Sequence, residues 1–166
     1  MKQDQFEVRF DKEMRELGHR VTTAKFNQQT LEHWDFLVDG KRVEVKGPKT
    51  FPKGTPLIDR FLVEWQAVCH GRFDEVKNNI GWVRGQADWI AFMLTVVDKE
   101  WVWVRRCELE SLVTAKVNWA SFTWTNAQLP DYRAYRRDTR DDLMCLIPKA
   151  DMLSLPSTKI SLDMPS

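Results

Sequence analysis

The sequence predicts an α/β or α+β domain built on a central sheet. Three features carry that expectation: an amphipathic helix near the start, a hairpin marked by Asp39-Gly40, and a second helix that follows a run of apolar strands.

Residues 3 to about 18 read as a helix, because Phe6, Phe10, Met14 and Leu17 fall at spacings of four, four and three and form one apolar stripe. Gly18 supplies the stop. Val21 to Ala24 suits a short strand. Trp34 to Val38 and Arg42 to Lys46 are two more strands, joined by Asp39-Gly40, a dipeptide suited to the positive φ angles of a tight hairpin turn. Gly47 to Pro56 holds two glycines and three prolines and reads as a loop. Phe61 to Val68 follows as a strand, then a polar, mobile connection from Gly71 to Gln86. Trp89 to Val97 and Trp101 to Val104 form a second buried hairpin turning near Asp98-Lys99. Arg106 to Val117 is a helix, with Leu109, Leu112 and Val113 at helical spacing. An aromatic, irregular stretch runs on through Tyr135. Leu143 to Ile147 is a short strand, and Pro148 and Pro156 cap the end of the chain.

At 166 residues the chain fits a single domain, with a core over about 5–105 and a C-terminal extension over about 106–166. The longest apolar run, near Ile90 to Val97, is far below the roughly 20 residues that span a bilayer. The first five residues are polar, so no secretory signal and no membrane partner are expected. Cys69, Cys107 and Cys145 are odd in number and form no CxxC pair. They point to a reducing cytoplasm and partly buried thiols, not to a disulfide framework or a zinc site. His19, His33 and His70 show no ligand spacing. A net charge of +1 would not draw the whole molecule onto nucleic acid, so any such binding needs a local basic surface. Most of the eight tryptophans are expected in the core, where their area is needed.

Strand side chains alternate faces, so Glu44 and Lys46 point the same way. Asp35 lies on the preceding strand of the same hairpin and can reach Glu44 across it. Two carboxylates converging beside a lysine are costly unless a cation neutralises them, and magnesium prefers oxygen ligands. A magnesium ion there could activate a water against a phosphodiester, with Lys46 orienting that water or stabilising the phosphoryl charge. The ExK triplet alone is weak: Glu75-Val76-Lys77 repeats it in a segment with no alternating strand. The plain alternative is a solvated face of an edge hairpin, where opposite charges often alternate.

Asp35, eight residues, then Glu44-Val45-Lys46, after an amphipathic helix bearing Glu7, resembles the PD-(D/E)xK nuclease superfamily, which includes archaeal and phage resolvases and many restriction enzymes. The likeness covers roughly residues 5 to 95. It extends to small phage nucleases through Val63-Glu64-Trp65-Gln66, Gly81-Trp82-Val83-Arg84 and Ala87-Asp88-Trp89-Ile90. The resemblance implies a restriction-endonuclease-like α/β core, a central mixed sheet flanked by helices. It implies Asp35, Glu44 and Lys46 as catalytic residues and Asp35, Glu44, the Val45 carbonyl and Glu7 as metal ligands, with Glu13 and Glu16 competing for the helix-1 role. Trp34 stands where the motif has proline. Magnesium, replaceable by manganese, would be the cofactor and DNA the partner. A homodimer stays open, and the location would be cytoplasmic, the bacterial host's if the chain is phage-encoded.

Glu64 and Gln66 share a face of the next strand and are candidates for an additional acid or supporting role. Asp88 suits a turn or cap. Lys49, Lys53 and Arg60 flank the proline-rich loop in position for phosphate contacts. Trp82 and Arg84, between Gly81 and Gly85, suit a stacking platform on an exposed loop, or else a plug at the sheet edge. Arg133, Arg136, Arg137 and Arg140 are largely cancelled by Asp131, Asp138, Asp141 and Asp142 and read as a salt-bridge surface. The rival to a DNA-cleaving enzyme is a non-catalytic module that keeps the fold and binds nucleic acid or protein; a third reading is a plain structural or inhibitory protein.

Overall fold

The computed structural model describes residues 4–51, 54, 56–67, 80–124, 129–137 and 142–166. The first helix, α1 (Gln5–Glu16), begins where Asp4 accepts a hydrogen bond from the Phe6 N–H at 2.9 Å and ends before Gly18, whose φ of 93° only glycine adopts freely. Phe10 and Met14 are fully buried, whereas Leu17, the last residue of the sequence stripe, is exposed because the helix has already ended.

Two sheets make up the rest. The first has six strands in the order β1 (Val21–Thr23), β2 (Phe36–Val38), β3 (Lys41–Lys46), β5 (Trp89–Phe92), β6 (Trp101–Arg105) and β10 (Lys159–Ser161). β3 and β5 run parallel and every other pair is antiparallel, so the sheet is mixed. The β2–β3 turn is the expected one: Asp39 and Gly40 both have positive φ, and Val38 pairs with Lys41. The second sheet orders β4 (Arg60–Gln66), β9 (Leu143–Pro148), β8 (Ala134–Arg136) and β7 (Phe122–Trp124). The expectation of one central sheet is therefore corrected. β4 leaves the first sheet to pair with β9, and the stretch read as irregular contains β7 and β8. Both strands are only three residues long, too short for periodicity to register. The tail is likewise more than a cap. Pro148 precedes α3 (Lys149–Leu153), and β10 then returns to pair with β6.

Alternation along the first sheet sorts its side chains into two layers. Val43, Val45, Trp89, Ala91, Trp101 and Trp103 face α1 and pack with Phe10 and Met14. Ile90, Phe92, Val102 and Val104 face the other way, against Phe61 and Val63 of β4, Cys145 and Ile147 of β9, and Leu109 and Val113 of α2 (Arg106–Lys116). Layers of helix, sheet, then sheet with helix give an α/β architecture with mixed sheets flanked by a few helices. No helix among the described residues is long and apolar enough to cross a membrane.

Five tryptophans (Trp34, Trp82, Trp89, Trp101 and Trp103) are buried, as a core use predicts, while Trp124 is half exposed on the edge strand β7. Cys145 is buried but Cys107 is exposed, which corrects the expectation for that thiol.

Candidate active site

The end of the first hairpin opposite its turn is a fork. β2 begins only at Phe36, so Asp35 lies just outside the ladder, with its backbone still tied to both neighbours. The Asp35 N–H donates to the Val43 carbonyl and its own carbonyl accepts from the Ala24 N–H, both at 2.8 Å. Its side chain turns inward, and Oδ2 accepts from the Val45 N–H at 2.8 Å. Val43 and Val45 are two residues apart on one strand, so the Val45 carbonyl points to the same edge as the Val43 carbonyl, toward Asp35.

Glu44 and Lys46 extend from β3 on the face opposite α1, as alternation requires, and Lys46 Nζ pairs with Glu44 Oε1. Glu44 is 4% exposed and Asp35 7%, so this is no solvated edge hairpin. Glu44 Oε2 is buried with no hydrogen-bond partner among the described residues. A carboxylate oxygen left in that state is expensive, and native proteins rarely keep one without a use.

The electrostatics follow from the burial. Desolvation, then the Glu44 charge, push the Asp35 carboxyl well above the ordinary carboxylate range, against the opposing pull of Lys46 and the Val45 N–H. Burial acts on Lys46 in the sense of discharging it, but Glu44 and Asp35 outweigh that and hold its pKa above the usual lysine value. Glu7 arrives from the first turn of α1, its pKa raised by burial and by Asp4 and Glu44. Its helix is seated there by Gly47, where a Cβ would lie 2.3 Å from the Phe6 ring.

Asp35, Glu44 and the Val45 carbonyl offer oxygen donors of the kind a hard divalent cation takes. The orphaned Glu44 Oε2 and the mutual repulsion of the two carboxylates both fit such a cation. Among the described residues no three His, Cys, Asp or Glu side chains converge as a ready-made cage. Glu7 thus stands at electrostatic range from Glu44 and Lys46, not in a three-carboxylate cluster. Glu13 faces elsewhere, bonded to Arg9 and the Trp101 indole, and Glu16 pairs with Lys12 in solvent.

The remaining sequence candidates divide. Glu64 comes close: Lys46 lowers its pKa while burial, the largest influence, raises it. Gln66 lies beyond a register slip in the β4–β9 ladder, which falls between Glu64 and Gln66. Trp82 is no exposed platform. It is buried in a short 3₁₀ turn, Trp82–Arg84, with Lys46 Nζ 5.5 Å from its ring centroid. That turn is packed so tightly that a Cβ on Gly81 would lie 2.1 Å from the Glu64 carbonyl oxygen. Arg84 lies over the Trp65 ring and donates to the Trp65 carbonyl, which commits it to packing. Asp88 plays the expected structural part, accepting from the Arg42 N–H at 2.8 Å. Lys53, Cys69, His70 and the second ExK triplet, Glu75 to Lys77, lie outside the described residues.

Beyond Lys46 opens a cavity of about 260 Å³, lined in part by Lys49, Arg60, Glu64, Trp82 and Arg137. Arg137 was legible only as one member of a charge-cancelled surface cluster. It follows β8, and the β8–β9 and β4–β9 pairings together carry it here, paired with the fully buried Asp142.

Compared with protein-family models, curated proteins and solved structures, the chain matches none.

Proposed function

We propose that this chain is a metal-dependent nuclease of the PD-(D/E)xK type, hydrolysing DNA phosphodiester bonds at the Asp35–Glu44–Lys46 fork. The observation that carries the reading is the pair of buried carboxylates, one with an orphaned oxygen, beside a charged lysine. Such a group destabilises a fold that does not use it. Supporting a core of restriction-endonuclease type is the order of α1, the β2–β3 hairpin, the parallel β3–β5 pair and α2.

Asp35 and Glu44, with the Val45 carbonyl, would hold magnesium or manganese. Once bound, the ion supplies polarisation of the phosphodiester and a lowered pKa for the attacking water. Asp35 is kept rigid for this by the Val45 N–H. Lys46, charged and held between Glu44 and the Trp82 ring, orients the water and offsets charge growing on the phosphoryl oxygens. Glu7 biases the same site through its field and through water. Burial of Asp35 and Glu44 excludes bulk solvent around the two carboxylates, which strengthens their interactions.

The test is incubation of linear, single-stranded and branched DNA with the protein and magnesium or manganese, repeated with chelator. Cutting that needs the metal and falls by about 10²–10⁴-fold in Glu44→Gln, with the circular dichroism unchanged, is the expected result. Undiminished cutting by that variant overturns the assignment. Retention of DNA without any cutting favours a non-catalytic binding module.

A further inference from the structure

The cavity beyond Lys46 is the feature the nuclease reading leaves unexplained. At about 260 Å³ it lies just under the span of ordinary small-ligand pockets, roughly 300–1,000 Å³, so it holds a single nucleotide-sized group and no duplex. Its lining includes four cations, Lys46, Lys49, Arg60 and Arg137, against one acid, Glu64. Two of the cations are fixed in place. Arg60 donates to the Leu129 carbonyl and lies 3.6 Å from Asp131, and Arg137 pairs with Asp142. Lys49 makes no ion pair with the described residues and has its pKa lowered by burial and by Lys46, so an anion beside it would be welcome. The Arg137 Nε is buried without a hydrogen-bond partner among the described residues, a donor able to take an acceptor. The wall also carries aromatic residues, with Trp82 edge-on to Phe92 at 5.9 Å.

We infer that this pocket receives one unstacked nucleotide, its phosphate among Lys49, Arg60 and Arg137 and its base against the aromatic wall. The substrate at this site is then a single strand or a splayed duplex end. The inference rests on the nuclease reading for its link to catalysis, since Lys46 belongs to both the fork and the pocket. A base leaves the stack most readily where it is already unpaired, so a pocket of this size beside the reacting phosphate selects single-stranded segments. Fixed guanidinium groups suit phosphate because their geometry is set before binding.

Binding is measured first, in chelator, by titrating thymidine 5′-monophosphate and following tryptophan fluorescence, with inorganic phosphate alongside. Saturable quenching is expected. It should weaken about tenfold or more in Lys49→Glu and in Leu57→Trp, a pocket-filling change at a partly buried wall position, and inorganic phosphate should bind more weakly. Cutting of single-stranded DNA is then compared with a blunt duplex of the same sequence. A single-strand preference that shrinks in Leu57→Trp supports the inference. Absence of quenching, or phosphate binding as well as the nucleotide, or equal cutting of strand and duplex, overturns it while leaving the nuclease assignment standing. Nucleotide binding without any DNA cutting has the reverse meaning: the pocket is real and the catalytic assignment fails.

Discussion

The β2–β3 hairpin carries a cluster of acids at each end, and the two clusters behave oppositely. At the turn, Asp39 meets His19 Nδ1 at 2.7 Å, and Asp163 meets Nε2 of the same ring at 2.6 Å. Both acids are exposed, and each has a partner on the imidazole. At the fork, Asp35 and Glu44 are both buried, and among the described residues Lys46 pairs with Glu44 while Glu44 Oε2 has no partner. Water screens the first cluster, so it contributes little and endangers nothing. The second cannot be screened. Clustered carboxylates become a device only where solvent is excluded, because only there does their repulsion create a standing demand for a cation.

The comparison breaks most sharply at Lys46. Lys46→Met leaves two buried carboxylates without their cation, which should cost about 3–5 kcal/mol. Thermal unfolding in chelator should then come roughly 6–20 °C lower, and DNA cutting should vanish. Next comes Asp35→Asn, which removes one of the repelling charges while the side-chain oxygen can still accept from the Val45 N–H. The metal-free protein should gain about 1–2 kcal/mol, or roughly 2–8 °C. The rise in unfolding temperature expected for the wild type in magnesium should not occur in this variant. A variant no more stable than wild type in chelator would mean that the fork is not strained.

Glycines test the same two ends by packing. Gly47→Ala places a Cβ 2.3 Å from the Phe6 ring and should cost about 1–3 kcal/mol, by moving the first turn of α1 away from the fork. Gly40→Ala at the turn meets nothing within 4 Å, and only its φ of 86° opposes it, so about 1 kcal/mol is expected. Denaturant midpoints read both.

The smallest effect is at His19. Its pKa is raised by the hydrogen bonds its ring donates to Asp39 and Asp163, more than burial lowers it. The stabilisation is therefore fully present below the ordinary histidine pKa near 6.5 and is lost as pH rises through the higher folded value. His19→Gln should flatten that slope, with a loss of at most a few degrees in unfolding temperature at pH 6 and none at pH 9.

Residue chemistry with short-range spacing determined the local parts of this protein. The helix stripe, the Asp-Gly turn and the alternation that sets Glu44 and Lys46 on one face were all legible, because each depends on neighbours within a few residues. So was the approach of Asp35 to Glu44, since a two-residue turn fixes hairpin register. What the tertiary structure alone decided is burial and long-range pairing. The ExK spacing is the same whether the strand is solvated or sealed, and only the packing of α1 and the second sheet made Glu44 an enclosed acid. The departure of β4 to pair with β9, the arrival of Arg137 in the cavity that Lys46 also lines, and the closing of Trp82 into the core all join residues far apart in sequence. No local propensity encodes such contacts. They form because two apolar sheet faces must cover one another, and that requirement is set by the whole chain.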